Sequence, residues 1–296
     1  MTLVVPPYLP PILGSALLLG FYDISKKHAV NANAVMPTLF FATLSGSVLF
    51  CLLTLFSGQA SEIIVADGAF HLAVLTKSLL VSASWICVYG AMRDLPISIA
   101  SPIRASSPLW TCLGGMLLYG ELPSAVQAVG MAAIFLGYYL FSVLGKLDGF
   151  SWHSRGMVLI FLGTLLGAAS ALYDKFLLHV LKLPRLPMQF FFSVDLVLIM
   201  GLVWLSTRRR NTAEVFVWRW SIVLTGVLLI AADYLYFYAL SLPDTPISQL
   251  SLIRRCNCLV GFSVGALLFR DRHLLGKTGA LALILAGVFL LLVKTS

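Results

Sequence analysis

Two arginines carry the first chemical signal in the chain. Arg104 closes the stretch PISIASPIR and Arg254 closes PISQLSLIR, 150 positions apart, each eight residues past a proline. A guanidinium is permanently charged and grips carboxylate or phosphate through two parallel N–H donors. Eight residues of helix place each charge about 12 Å into an apolar run. A charge at that depth in lipid costs roughly 2.5–3.5 kcal/mol on insertion scales, so it must face protein or a wet cavity. Two readings compete. The pair is either a clamp for the acidic part of a ligand, or it is neutralised internally by Asp23, Asp174, Asp195 or Asp233, which also stand in apolar segments. Buried ions are ordinarily paired, which keeps the second reading open. Arg255 has Ala105 at its matching position and points about 100° away on a helix, outside the symmetric pair.

A second set repeats as well. Tyr22-Asp23 followed by His28 matches Tyr173-Asp174 followed by His179 at an offset of 151. A carboxylate near a helix end is either solvated, for instance beside Lys26, Lys27 or Lys175, or a group that protonates and gates. Asp195 and Asp233 lie deeper. A protonatable carboxylate in a cavity can couple transport to protons or hold an amino group. Trp85 and Tyr89 share one helix face by their spacing, as do Tyr234 and Tyr238, with Tyr236 close by. Such aromatics either belt the membrane interface or line an amphipathic ligand together with Arg104, Arg254 and Asp233. Ser101 and Ser251 add neutral polar contacts, although small polar residues also serve helix packing. Lys77, near the start of its apolar run, is expected to snorkel toward the surface.

Other chemistries find no support in the residue pattern. Cys51, Cys87, Cys112, Cys256 and Cys258 all lie in apolar segments, and the Cys256-x-Cys258 spacing lacks the gap of zinc and redox pairs. They are expected to be packing residues, so no metal and no cofactor is expected. Neither an HExxH zinc site nor a GxSxG elbow occurs, and acids are not paired at catalytic spacing, which argues against an enzyme.

The elements that must position these groups follow from composition. Apolar residues make up 59% of 296, and only 11% are charged, against about a quarter in soluble domains. Apolar runs of about 20 residues span a bilayer, and ten are expected, near 10–29, 37–57, 69–92, 97–119, 123–145, 155–181, 187–206, 217–241, 246–269 and 274–293. The N-terminal stretch has no basic region or cleavage site, so it is expected to begin the first span. The fold class expected is an all-α integral membrane protein.

Beyond the two sets above, Gly115, Glu121 and Gly137 recur as Gly265, Asp271 and Gly287 at the same offset of 150. Several matches at one offset make an internal repeat, with residues 1–149 and 150–296 as its halves. Five spans per half is an odd number, so the halves must enter the membrane from opposite faces, the inverted-repeat architecture of many secondary transporters. The net charge of +8 is spread over span ends rather than patched, which excludes nucleic acid as a partner and leaves the lipid bilayer and a small molecule. Twelve basic residues fall in connections after odd-numbered spans and three on the other side, so the positive-inside bias puts both termini outside the cytoplasm of a multi-pass cell (inner) membrane protein.

The stretch LLYGELPSAVQAVGMAAIFLGYYL at 117–140 resembles the drug/metabolite transporter superfamily, specifically its EamA-type ten-helix members. Gly120-Glu121, Gln127, Gly130 and Gly137 carry the likeness, with Pro102 and Pro108 before them. The second half repeats the pattern more loosely, with Arg270 and Asp271 at the Gly-Glu positions. The resemblance implies an alternating-access transporter of small metabolites, often an exporter. It also implies a cavity lined by spans 1–4 and 6–9, and termini in the cytoplasm, against the loop count. The expected function is therefore a secondary transporter of a small anionic, zwitterionic or amphipathic metabolite. A lipid or drug flippase is the alternative on the same fold. Oligomeric state is not readable from the sequence.

Overall fold

The computed structural model describes residues 2–3, 6–64, 67–94, 103–104, 106–143, 155–208, 215–257, 260, 279, 282–287, 289–290 and 293–294. Helix α1 spans Leu9–Val30 and α2 Val35–Phe56, followed by a 3-10 turn at Ala60–Ile63. Helix α3 spans Gly68–Asp94, α4 Ser107–Tyr119 and α5 Ala125–Val143. Helix α6 spans Arg155–Lys175 and runs on as a π-helical turn at Phe176–Val180. Helices α7 at Arg185–Arg208, α8 at Trp220–Ser241 and α9 at Ile247–Arg254 complete the series. Of these, α2, α3, α6 with its π turn, α7 and α8 are long and apolar enough to cross a membrane. The expected spans at 97–119, 246–269 and 274–293 are described only in part.

Side-chain contacts fix the direction of each helix. Ser15 Oγ donates to Ala232 O at 2.7 Å and Ser25 Oγ to Ser221 O at 3.0 Å, so α8 runs antiparallel to α1. Ser84 Oγ donates to Gly163 O at 2.7 Å while Gly90 faces Leu159, so α6 runs antiparallel to α3. Ser47 meets Ser193 at 3.1 Å and Phe40 meets Trp204 at 5.2 Å between ring centres, so α7 opposes α2. Phe70 with Phe191 and Ser78 with Asp195 show α3 and α7 parallel. The short connection at 31–34 sets α1 against α2. Followed round, these contacts leave α6 opposite in direction to α1, α7 to α2 and α8 to α3. The chain ends also meet, in a two-residue antiparallel pairing of Thr2 with Lys294 and Leu3 with Val293.

The burial pattern is that of a protein solvated by hydrocarbon. Leu117, Leu202, Phe56 and Trp220 are exposed, whereas Ser15, Ser78, Thr111 and Gln189 are fully enclosed. Lipid tails are as apolar as leucine, so helices associate through small residues, hydrogen bonds and close packing. Among the described glycines, those between α2 and α8 leave the least room against a neighbouring backbone. A Cβ on Gly226 would lie 1.9 Å from Ala42 O, and one on Gly46 2.5 Å from Gly226 O. Carbonyl oxygens cannot step aside as a flexible side chain can.

The helices that carry the two arginines are both interrupted beside them. Residues 103–104 are helical and Ser106 is a turn before α4; α9 stops at Arg254, with turn residues at Arg255 and Cys256 before Asn257 resumes helix. In the first half, Pro108 explains the break, because its ring lacks an N–H and crowds the carbonyl four residues back, that of Arg104. No proline occupies the corresponding place in the second half, where Cys258 stands. Ser101, Pro102, Ala105, Cys258, Gly261, Gly265, Arg270 and Asp271 lie outside the described residues.

Gly226→Ala is expected to force α2 and α8 apart and destabilise the fold by about 1–3 kcal/mol. Thermal unfolding in detergent checks this against Gly68→Ala, whose added methyl meets nothing within 4 Å. Equal unfolding temperatures in the two variants refute the steric account.

Candidate functional site

The polar centre is assembled around Asp174, on the last turn of α6. Its carboxylate forms an ion pair with Lys77 of α3 and accepts the Tyr236 hydroxyl of α8 at 3.1 Å. Lys77 is 2% exposed, and its ammonium rests over the rings of Phe192 at 4.5 Å and Phe237 at 5.2 Å. The expectation of a snorkelling lysine is therefore corrected. Lys77 stands nine residues into α3, and an opposite charge with two aromatic faces holds it inside.

Arg254 lies next to this pair. One of its terminal nitrogens is ion-paired with Asp233 of α8, and its guanidinium stacks over the Tyr236 ring at 4.1 Å. Its Nε is enclosed without a partner. Tyr236 thus bridges two ion pairs, with its hydroxyl on Asp174 and its ring on Arg254. Helical spacing puts Asp233 and Tyr236 on one side of α8. Tyr234 and Tyr238 are exposed on another, where Arg185 stacks on both rings, at 4.6 and 5.1 Å.

The matching residues of the first half sit toward the other end of the helices. Asp23 accepts from Asn257 Nδ2 at 2.6 Å and pairs with Lys26 at 3.3 Å. Lys26 also covers the Tyr22 ring at 4.5 Å. Arg104 lies within electrostatic reach of Tyr22 and Tyr89, and Tyr22 also feels Asp23 and Asp233. Tyr22 is accordingly the meeting point between the two ends of the polar core. The mirrored carboxylates differ sharply in access: the Asp23 side chain is 46% exposed, that of Asp174 5%.

The remaining sequence candidates are dispersed. Asp195 accepts from Ser78 Oγ at 3.2 Å, Trp85 packs at the edge of the apolar core, and Tyr173 stacks on Phe176. Ser251 is half-buried on α9, and Ser101 is outside the described residues. Lys77 and Tyr236 take larger parts than sequence reasoning assigned to them. The only earlier signal for Lys77 was a lone cation in an apolar run, and for Tyr236 its place between the two spaced tyrosines.

Glu121 forms a separate polar knot between α4 and α5. Gly120, with φ of 63°, ends α4 in a left-handed turn, and Glu121 N bonds back to Gly115 O at 3.2 Å. Only glycine takes that φ without strain. The missing side chain at Gly115 makes room, since a Cβ there would sit 2.8 Å from Glu121 Oε2. The carboxylate then caps α9, accepting Ile247 N at 2.8 Å, Ser248 N at 3.0 Å and Ser248 Oγ at 2.5 Å. Lys175 Nζ adds a bond to Oε1 at 2.5 Å and another to Thr245 O at 3.0 Å. An anion at a helix N-terminus satisfies free N–H groups and the helix dipole together. Burial opposes the charge on Glu121, but the donors of Lys175, Ser248 and Ile247 together hold its carboxyl below the usual carboxylate range.

Two voids complete the description. A cleft of about 200 Å³ lies against Glu121, Gln127, Met131, Pro246, Ser248 and Gln249. A void of about 20 Å³ touches Asp233, Thr43, Ser47 and Ser193. The larger cleft stands away from the ion pairs, beside a carboxylate whose acceptors are already engaged. The smaller void has room for a water but not for a metabolite, and the ion pairs beside it are the stronger candidate site. Among the described residues, no three His, Cys, Asp or Glu side chains are grouped to hold a metal ion.

The model of the EamA-like transporter family, which belongs to the drug/metabolite transporter superfamily, matches residues 9–143. A solved structure titled "Crystal structure of protein" shares the fold, with a TM-score of 0.74 at 14% identity over 96% of each chain. No curated protein matches.

Glu121→Gln removes the capping charge and is expected to cost about 2–4 kcal/mol near neutral pH. Because folding lowers the affinity of Glu121 for protons, its stabilisation is complete above the ordinary carboxylate range and fades as pH falls through the lowered one. Unfolding curves of wild type and variant should therefore converge on acidification. A constant gap at every pH contradicts the assignment.

Proposed function

We propose, from the premise that residues 9–143 form an EamA-like transporter unit, that the chain is a secondary transporter whose two halves are inverted repeats. Residues 1–149 and 150–296 form the repeats, each with five membrane spans, and the protein works by alternating access as an exporter. The reversed directions of α6, α7 and α8 relative to α1, α2 and α3, respectively, support this reading. So does the meeting of the two chain ends, because an even number of crossings returns a chain to the face it left. Interrupted helices beside both arginines fit as well, since irregular backbone at membrane depth is tolerated where it lines a cavity or is enclosed by protein.

The unequal exposure of Asp23 and Asp174 is the observation that carries the proposal. Two residues equivalent in sequence occupy inequivalent environments, one reachable from its face and one sealed by Lys77 and Tyr236. A protein that exchanges those environments exposes its centre to one side at a time. The positive-inside count places the open, Asp23 side toward the cytoplasm and both termini on the opposite face. Tyr22, Asp23, Tyr173, Asp174 and Asp195 act in gating and coupling. Arg104, Arg254, Asp233, Tyr89, Ser101 and Ser251 serve the substrate, whereas Trp85 packs against the apolar core and Tyr234 is exposed on another side of α8.

The substrate is a small anionic, zwitterionic or amphipathic metabolite. A ligand carboxylate that takes Arg254 must displace Asp233, and a lone buried carboxylate is costly. A zwitterion supplies an ammonium for Asp233 at the same moment, so it leaves no charge unpaired. The unpartnered Nε of Arg254 offers the second donor that a bidentate grip needs.

Uptake of a radiolabelled metabolite panel into proteoliposomes tests this, with and without a pH gradient. At least one acidic or zwitterionic compound should enter, and Arg254→Ala should cut its rate by at least about thirty-fold, the equivalent of losing a desolvated charge pair. No uptake of any panel member, or full activity in the variant, overturns the reading.

A further inference from the structure

Lys77 has no counterpart in the second half, although two other charged pairs of the polar core are mirrored. The carboxylates match, Asp23 with Asp174, and so do the arginines, Arg104 with Arg254. The positions that correspond to Lys77 in the second half, at offsets of 150 and 151, are Val227 and Leu228. One mirrored carboxylate therefore carries a cation tethered inside the protein, and the other carries none at that place. Asp23 turns instead to the amide of Asn257 and to the part-exposed Lys26.

The surroundings of the Lys77 ammonium are those of a binding site for a monovalent cation. A carboxylate oxygen of Asp174 neutralises it, and the Tyr236 hydroxyl holds the other oxygen in place at 3.1 Å. The faces of Phe192 and Phe237 cover it, and negative ring faces attract cations. The four side chains come from α6, α8, α7 and α8, so the site exists only in the assembled core. The other charged and titratable groups that face Asp174 are Arg254 of α9 and Tyr119 of α4, and Arg254 is already taken by Asp233.

We propose that Lys77 is a built-in counter-ion that occupies a monovalent-cation site at Asp174 in place of a proton or alkali ion from solution. Asp174 then needs nothing from outside to stay neutralised in the sealed conformer. Any ion that couples transport acts on the Asp23 side, where the paired Lys26 is part-exposed rather than enclosed. The coupling role rests on the transporter reading above; the occupied site does not, and the experiment addresses the site alone.

The test uses the full chain purified in detergent, with a hydrophobic carbodiimide as the probe, since such reagents modify protonated carboxyls buried in membrane proteins. In wild type, Asp174 should stay unmodified, and the unfolding temperature should vary little between about pH 5.5 and about pH 8.5. In Lys77→Gln the stranded carboxylate must take up a proton. Asp174 should then be labelled in a pH-dependent way, and the variant should be more stable in acid, with a Tm about 5 °C higher at the lower pH. Sodium or lithium chloride at the higher pH should recover part of that loss, where potassium-free choline chloride should not. The double variant Lys77→Gln/Asp174→Asn should lose both the labelling and the pH dependence. If Lys77→Gln does not fold at neutral pH, recovery of folding in the double variant carries the same conclusion. A Lys77→Gln protein that is unlabelled and indifferent to pH overturns the proposal, as does a double variant no more stable than the single one. Labelling as expected with no transport of any metabolite would leave the cation site standing and fail the transporter reading instead.

Discussion

A charge removed from water must find its opposite inside the protein, and this chain answers that demand by pairing charges between helices distant in sequence. Lys77 of α3 holds Asp174 of α6, and Glu121, after α4, caps α9 while binding Lys175 of α6. Removing one member of such a pair strands the other in a medium that cannot solvate it. The contacts are thus strong constraints on which helices lie together, even where their net contribution to stability is modest. Apolar burial cannot supply that selectivity, because the lipid outside is as apolar as the core.

The same pairs neutralise one another at the centre. Arg254 and Asp233 sit beside Lys77 and Asp174, bridged by Tyr236, so the local sum of charge is near neutral and no single group is free to drift. Under the function proposed above, a ligand bearing both signs enters by substituting for existing pairs. The knot at Glu121 has another character: its acceptors are engaged by two backbone amides, a hydroxyl and an ammonium, which anchors one end of α9 while the Arg254 end borders the ion pairs.

The close approaches of the fold and its lipid-facing apolar residues constrain the sequence unequally. Leucine may replace phenylalanine on a lipid-facing side at small cost, whereas Gly226 against the Ala42 carbonyl and Gly115 beneath Glu121 leave no such latitude. A fold can persist through extensive apolar substitution when a few close approaches and satisfied polar groups hold its geometry.

The helices themselves were legible in composition and run length: the expected 37–57, 69–92, 187–206 and 217–241 lie close to α2, α3, α7 and α8, because hydrophobic length is a local property. Arg254 was legible as a deep charge, and Asp233 as one of its candidate partners. The sequence could not choose among the four aspartates, since pairing depends on which helices touch and at what height. Lys77 was misread for that reason, as its distance from a span end suggested the surface while its true neighbours, Asp174, Phe192 and Phe237, are about a hundred residues or more away in the chain. By itself the sequence determined that charge would lie within apolar helices and recur at a fixed offset. Only the tertiary structure decided which charges neutralise each other and which of two equivalent carboxylates is sealed, because Coulomb pairing is set by distances across helices and not by position along one.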